Sequence, residues 1–216
     1  YEDTPRPAPA AGEALLCVYA AGITLTELTW SETYQTPDGH ERLPTIPGHD
    51  VSGAAENSAR ASDVSPGNAV YGLVEFPRDG SAAEYVAVRA GDLAPKPRSL
   101  DHVHAAAVPL SALTTWQAFF VHAGLAAGQR ILIHDAAGGV GVFAAQLARR
   151  KGARVSATAS ARHHAFCAGV LGGAGFEGGA ALAGAFLSRV RRVGSISTPA
   201  ESLLPVPDDD APQLTR

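Results

Sequence analysis

Methionine is absent from this 216-residue sequence, cysteine and tryptophan occur twice each, and aromatic residues make up 6% of the chain. Only Cys17 and Cys167 are available for sulfur chemistry, far apart and each in apolar surroundings. No C-x-x-C pair exists, and the two are expected as buried thiols in a reducing compartment, the cytoplasm, with a single long-range disulfide left open. No apolar run approaches the length of a membrane span and no signal-peptide pattern opens the chain, so no membrane partner is expected. Basic charge is not in excess either. A net charge of −4 and a pI near 6.0 give no reason to expect nucleic acid or an anionic surface as partner. A G-x-S-x-G elbow is missing, which sets aside a serine hydrolase. With no methionine and Tyr1 in first place, the sequence is expected to begin inside a longer chain.

What is present is concentrated between Gly128 and Thr158. Ile131 to His134 read as a short buried strand after the turn signal at Gly128. The run AAGGVG follows at once, from Ala136 to Gly141. Val140, Phe143, Ala144, Leu147 and Ala148 then recur at three- and four-residue spacing, which predicts a helix over 140–150 with those residues on one face. Gly152 closes it, and Val155 to Thr158 restart an extended run. This is a βαβ unit of about thirty residues.

The turn has specific chemistry. Free backbone N–H groups and the helix dipole favour a pyrophosphate at a helix N-terminus. Glycines let the backbone approach it and let the helix pack on the strand. Gly138 and Gly141 take the second and third places of G-x-G-x-x-G, and Ala136 stands in for the first, with Ala137, Gly139 and Val140 between them. The bland alternative is a glycine-rich structural turn; the strand before it and the amphipathic helix after it favour a dinucleotide. At the end of the second strand an NAD site usually places an acidic residue. Here the sequence is Thr158-Ala159-Ser160-Ala161-Arg162. A hydroxyl and a guanidinium suit a 2′-phosphate, so NADPH is the expected cofactor. Ser160 is also placed to cap the next helix, with Arg162 simply solvated, and the two readings can hold together.

With 46% apolar residues the chain can bury one sizeable core or two small ones. Residues 1–12 are a Pro- and Ala-rich arm, and Ala14 to Ala20 read as a strand. Short β-like pieces alternate with turn signals from Leu43 to Gly72, Ser81 to Arg89 read as another strand, and Leu93 to Leu100 as a connector. That spacing predicts a small, mostly β domain. Val103 to Val121 read as helical around a break at Pro109.

The segments IPGHDVSG, PGNAVYG, GSAAEYVAV, AAAVPLSALTTWQAF and ILIHDAAGGVGVFAAQLARRKGARV stand in the order and spacing of medium-chain dehydrogenases/reductases. Over roughly residues 5–168 the chain resembles that superfamily, and within it the zinc-independent quinone oxidoreductase branch. Asn68 departs from the family's usual Asp in its turn. The resemblance implies a mixed α/β protein: a GroES-like β domain over residues 1–100, lacking its first strands, and a Rossmann NADP(H) domain over 101–200. It implies an active site between the two, where NADPH delivers hydride to the β-carbon of a quinone or other small, hydrophobic α,β-unsaturated carbonyl. It also implies a homodimer formed through a sheet edge of the nucleotide domain.

Zinc-dependent relatives need a Cys- or His-rich ligand set. His49 stands where they also have His, but its partner ligands are missing, and His102-x-His104 and His163-His164 lack companions too, so no metal is expected. The segment Thr24–Tyr34 resembles the family's substrate-lining stretch, with Thr24 and Glu27 where Asn and Asp are common. Tyr34 is a candidate to bond a carbonyl or relay a proton, although Tyr34 and Trp30 serve equally well as a cap on the β domain. Thr114 matches a position near the nicotinamide. Ile196 and Ser197, in RVRRVGSISTPAE, resemble the later strand that passes it.

The second domain is shorter than the about 150 residues that two mononucleotide halves need. The expectation is a chain with a segment missing, closed by a Pro- and Asp-rich tail over 201–216. A cofactor-free member of the same fold is the alternative: a cyclase, an isomerase or a binding protein for a hydrophobic enone or polyketide-like substrate.

Overall fold

The computed structural model describes residues 2–24, 26–57 and 64–171. The chain divides into two units, Tyr1–Leu113 and Thr114–Arg216.

In the first unit the branched and small residues of EALLCVYAAG extend into β1 (Glu13–Gly22). It pairs antiparallel with β2 (Asp50–Ala55) on one side and β4 (Tyr85–Arg89) on the other. β3 (Ala69–Leu73) joins β2, and β5 (Leu93–Pro95) joins β3. Among the described residues the sheet order is β4–β1–β2–β3–β5. Leu16 stands opposite both Ala55 and Val86, so the three share one face. Leu16, Val51, Val70, Val74, Val86 and Val88 form the buried cluster. The register of β1 against β2 slips between Val18 and Ala20, a bulge at Tyr19.

Two expectations change here. The strand foreseen from Ser81 begins only at Tyr85. Residues before it are bonded sideways: Ser81 N–H donates to Gly48 O, Ala82 N–H to Pro47 O, and Ser81 Oγ to Asp50 O. Those donors are taken by a neighbouring loop and cannot join a ladder. The Pro-rich connector in turn opens with β5, because β3 offers an edge with free backbone groups.

Between β1 and β2 lie a single 3₁₀ turn (Glu27–Thr29) and the one-turn α1 (Ser31–Tyr34). After β5, α2 (His102–Ala106) starts at Asp101, whose side chain accepts from His104 N–H. The helical stretch then breaks ahead of Pro109 and resumes as α3 (Pro109–Trp116). It widens into a π-helical turn at Gln117–His122, where Trp116 packs edge-on against Phe120.

In the second unit β6 (Arg130–Ile133) pairs parallel with β7 (Arg154–Ala157) through α4 (Gly139–Arg150). The buried face of α4 differs from the expected one. Gly141, Ala144, Ala145 and Ala148 are buried, while Val140 is exposed. Three- and four-residue spacing is kept, but the smallest side chains face inward, which lets the helix lie close to the strands. A 3₁₀ turn (Ala161–His163) leads into α5 (His164–Leu171), whose Cys167 is buried; Cys17 in β1 is only half-buried, and both are free thiols. Among the described residues no helix is long and apolar enough to cross a membrane.

The β-domain cluster gives a direct test. Leu16 is fully buried. Leu16→Ala should lower stability by about 2–5 kcal/mol, read by urea unfolding through Trp30 fluorescence in a Trp116→Phe background. A loss below about 1 kcal/mol would mean the site can collapse around the gap.

Candidate functional site

Three ionisable side chains are buried together in the first unit. Glu27, His49 and Asp50 are 1%, 2% and 7% exposed. Glu27 is drawn inward by the 3₁₀ turn. One of its carboxyl oxygens accepts from Gly48 N–H at 2.5 Å and the other from Thr24 N–H at 3.3 Å. The Glu27 Oε1–His49 Nε2 distance is 3.6 Å, and Phe76 lies 4.6 Å from the imidazole between centroids. Among the described residues neither ring nitrogen of His49 has a hydrogen-bond partner. Burial pushes this imidazole below its ordinary range, against the pull of Glu27. Asp50, the first residue of β2, accepts from Leu110 N–H at 2.7 Å. Burial pushes its carboxyl up to about 7, opposed by that hydrogen bond and reinforced by Glu27.

Of the residues singled out from sequence, Thr24 and Glu27 are thus joined directly. Thr24 keeps its own hydroxyl uncommitted among the described residues. Tyr34 points elsewhere: its hydroxyl donates to Leu28 O at 2.9 Å. Trp30 packs edge-on against Phe76, 5.7 Å between centroids. Sequence reasoning passed over Asp50 and treated His49 only as an isolated metal-ligand candidate. A charged pair directly after Pro-Gly and before a β run was the available clue. Among the described residues no group of three His, Cys, Asp or Glu side chains is arranged to hold a metal ion.

The second unit contributes the turn between β6 and α4. Ala136 is 2% exposed, and Ala137 and Gly138 are half-buried. Gly138 caps α4 without any side-chain hydrogen bond to the first turn, so the N–H groups of Gly139, Val140 and Gly141 point out of the helix end. A Cβ at Gly141 would lie 2.1 Å from Asp135 O and 2.7 Å from Ala136 Cα, which only glycine can satisfy. Thr115, next to Thr114, is buried and donates to Val140 O at 3.2 Å, tying α3 to the same turn. At the end of β7, Ser160 Oγ lies 3.2 Å from His163 Nδ1 and makes no capping bond to the backbone. Arg162 is exposed, with no ion pair among the described residues. Ile196 and Ser197 lie outside the described residues.

The arrangement of each unit has counterparts. Residues 10–98 match the alcohol dehydrogenase GroES-like domain. Over 157 residues the chain is 38% identical to a probable zinc-binding oxidoreductase, mitochondrial, of Arthroderma benhamiae, covering 69% of this chain and 46% of that protein. It is 41% identical over 127 residues to an NADPH-dependent alkenal/one oxidoreductase, chloroplastic, of Arabidopsis thaliana, covering 55% and 33%. A solved quinone oxidoreductase from Coxiella burnetii superposes with a TM-score of 0.71 at 31% identity, over 82% of this chain and 56% of that one. The chain belongs to the medium-chain dehydrogenase/reductase superfamily, in its quinone oxidoreductase branch. It spans less than half the length of the two sequence relatives. Its architecture is mixed α/β, a GroES-like domain followed by part of a second domain.

Asp50 makes the first unit's stability depend on pH. Its folded-state value, about 7, lies above its ordinary 3.8, so the folded protein binds the proton more tightly. The stability this contributes is fully present below about 3.8 and is lost as pH rises through about 7. Relative to Asp50→Asn, wild-type unfolding free energy should fall across that window, by at most about 1.4 kcal/mol per pH unit. Chemical denaturation of both proteins at pH 4 to 8 measures it, and parallel curves would refute the assignment.

Proposed function

We propose that this chain is part of an NADPH-dependent reductase that acts on a quinone or another α,β-unsaturated carbonyl without a metal. The observation that carries this reading is the turn Ala136–Gly141. It opens a twelve-residue helix after a parallel strand, leaves the first-turn N–H groups without a side-chain cap among the described residues, and crosses the strand end with no room for a Cβ at Gly141. Such a helix end fits a pyrophosphate. The names of the Arabidopsis and Coxiella relatives support the reaction class.

When bound, NADPH supplies the hydride. The chain's own part is positioning and proton supply. The first-turn N–H groups of α4 would hold the pyrophosphate, Ser160 and Arg162 the 2′-phosphate, and Thr114 would lie toward the nicotinamide. End-of-strand residues Thr158 to Arg162 contain no carboxylate to bond a ribose 2′-hydroxyl, which favours NADPH over NADH. On the substrate side, Glu27 fixes Thr24 and Gly48 through backbone hydrogen bonds. Asp50, near 7, and the neutral His49 imidazole hold exchangeable protons in the same cluster.

Fluorescence or calorimetric titration with NADPH and NADH tests the reading. Gly138 has φ −73° and ψ 167°, which any L-residue can adopt. Gly138→Val should therefore fold once the Asp135 carboxyl, 2.4 Å from the new Cβ, turns aside, while its side chain obstructs the helix end and weakens NADPH by at least about tenfold. Arg162→Ala should reduce the preference for NADPH over NADH by about tenfold, equivalent to about 1.4 kcal/mol. Folded protein that binds neither nucleotide would sink the reductase and favour the cofactor-free alternative.

A further inference from the structure

Asp135 precedes the glycine-rich turn and carries three features that the proposed function does not use. Among the described residues it is the one non-glycine residue at positive φ, 54°. Aspartate is among the few L-residues that tolerate that region. The bend wraps its backbone and its side chain around the start of α4. Asp135 O accepts from Gly138 N–H at 2.9 Å, and its carboxyl oxygen Oδ2 lies 2.4 Å from the point a Cβ on Gly138 would occupy. That carboxyl makes no hydrogen bond and no ion pair among the described residues, and it is exposed.

The space left by the missing side chain of Gly138 is the approach a pyrophosphate needs. It is already taken by a carboxyl oxygen. The positive end of α4, with no side-chain cap, attracts this internal anion as it would an external one. We propose, on the strength of the dinucleotide reading above, that Asp135 is a built-in competitor for the pyrophosphate position. It must swing away when the cofactor arrives, and its charge continues to repel the bound diphosphate. Cofactor affinity is thereby lowered and release hastened, with no effect on the choice between NADPH and NADH, because both carry the same diphosphate.

The test compares wild type with Asp135→Asn, which keeps the shape and tolerates the left-handed backbone, and with Asp135→Gly, which suits that backbone better still. Dissociation constants are measured by calorimetry for NADPH, for ADP-ribose and for adenosine 2′-monophosphate, which lacks the diphosphate. A repulsion of one charge unit at this range in a partly solvated site corresponds to about a tenfold effect. Both variants should bind NADPH and ADP-ribose about tenfold more tightly, and the gap should shrink at high salt. Adenosine 2′-monophosphate should bind all three proteins alike. Equal or weaker binding of ADP-ribose by both variants would overturn the role given to Asp135. If no folded protein of the three binds ADP-ribose or NADPH, the dinucleotide reading itself falls, and this inference with it.

Discussion

At Gly80 and Gly141, as at Gly53 and Gly72, the backbone passes so close to itself that no side chain fits, and the two candidate functional segments depend on the crossings at Gly80 and Gly141. A Cβ at Gly80 would stand 2.1 Å from Gly48 O, and one at Gly141 would stand 2.1 Å from Asp135 O. The first crossing holds the peptide whose N–H serves Glu27, and through it the 3₁₀ turn that brings Glu27 inward. The second sets the start of α4 against the end of β6 and fixes where its first-turn N–H groups point. Larger residues at either place would separate segments that act only when they touch. Packing of the small residues of α4 against the strands follows from the same close approach.

Electrostatics then treats two aspartates in opposite ways. Asp50 is removed from water, so its charged form is disfavoured and it keeps a proton near neutral pH. Asp135 is exposed, stays near the positive end of a helix dipole, and lacks an ion-pair partner among the described residues. Burial makes the first a proton store, whereas the second keeps its carboxyl at the surface. Residue type alone distinguishes neither, since both follow a histidine in sequence, as His49-Asp50 and His134-Asp135.

That comparison marks how far the sequence could be read. β6, α4 and β7 were legible because a turn signal, a helical period and a second extended run follow one another with few residues between. β1 was legible as a branched, apolar run. The inward face of α4 was not, because periodicity ranks residues by hydrophobicity, whereas close helix-to-strand packing selects for small size. The strand boundary at Tyr85 and the short β5 escaped as well. Each depends on which neighbouring backbone offers free hydrogen-bond groups, a property of the assembled sheet. Thr24 and Glu27 were found by resemblance, and the structure joins them through the Thr24 N–H and the Glu27 carboxylate. His49 and Asp50 form a cluster with Glu27 only because Gly48 and Gly80 pull distant loops together. Their burial is a tertiary fact.

The bulge at Tyr19 bears on how this fold can change over evolutionary time. A strand without a bulge has a fixed length, since adding or removing one residue inverts every side chain beyond the change. In β1 the register has already slipped once, between Val18 and Ala20, with pairing regular on both sides. A lineage could lose or regain the extra residue there, leaving Leu16 opposite Ala55 and Gly22 opposite Asp50. The bulge is a seam at which the longest strand of the β domain can absorb an insertion or deletion.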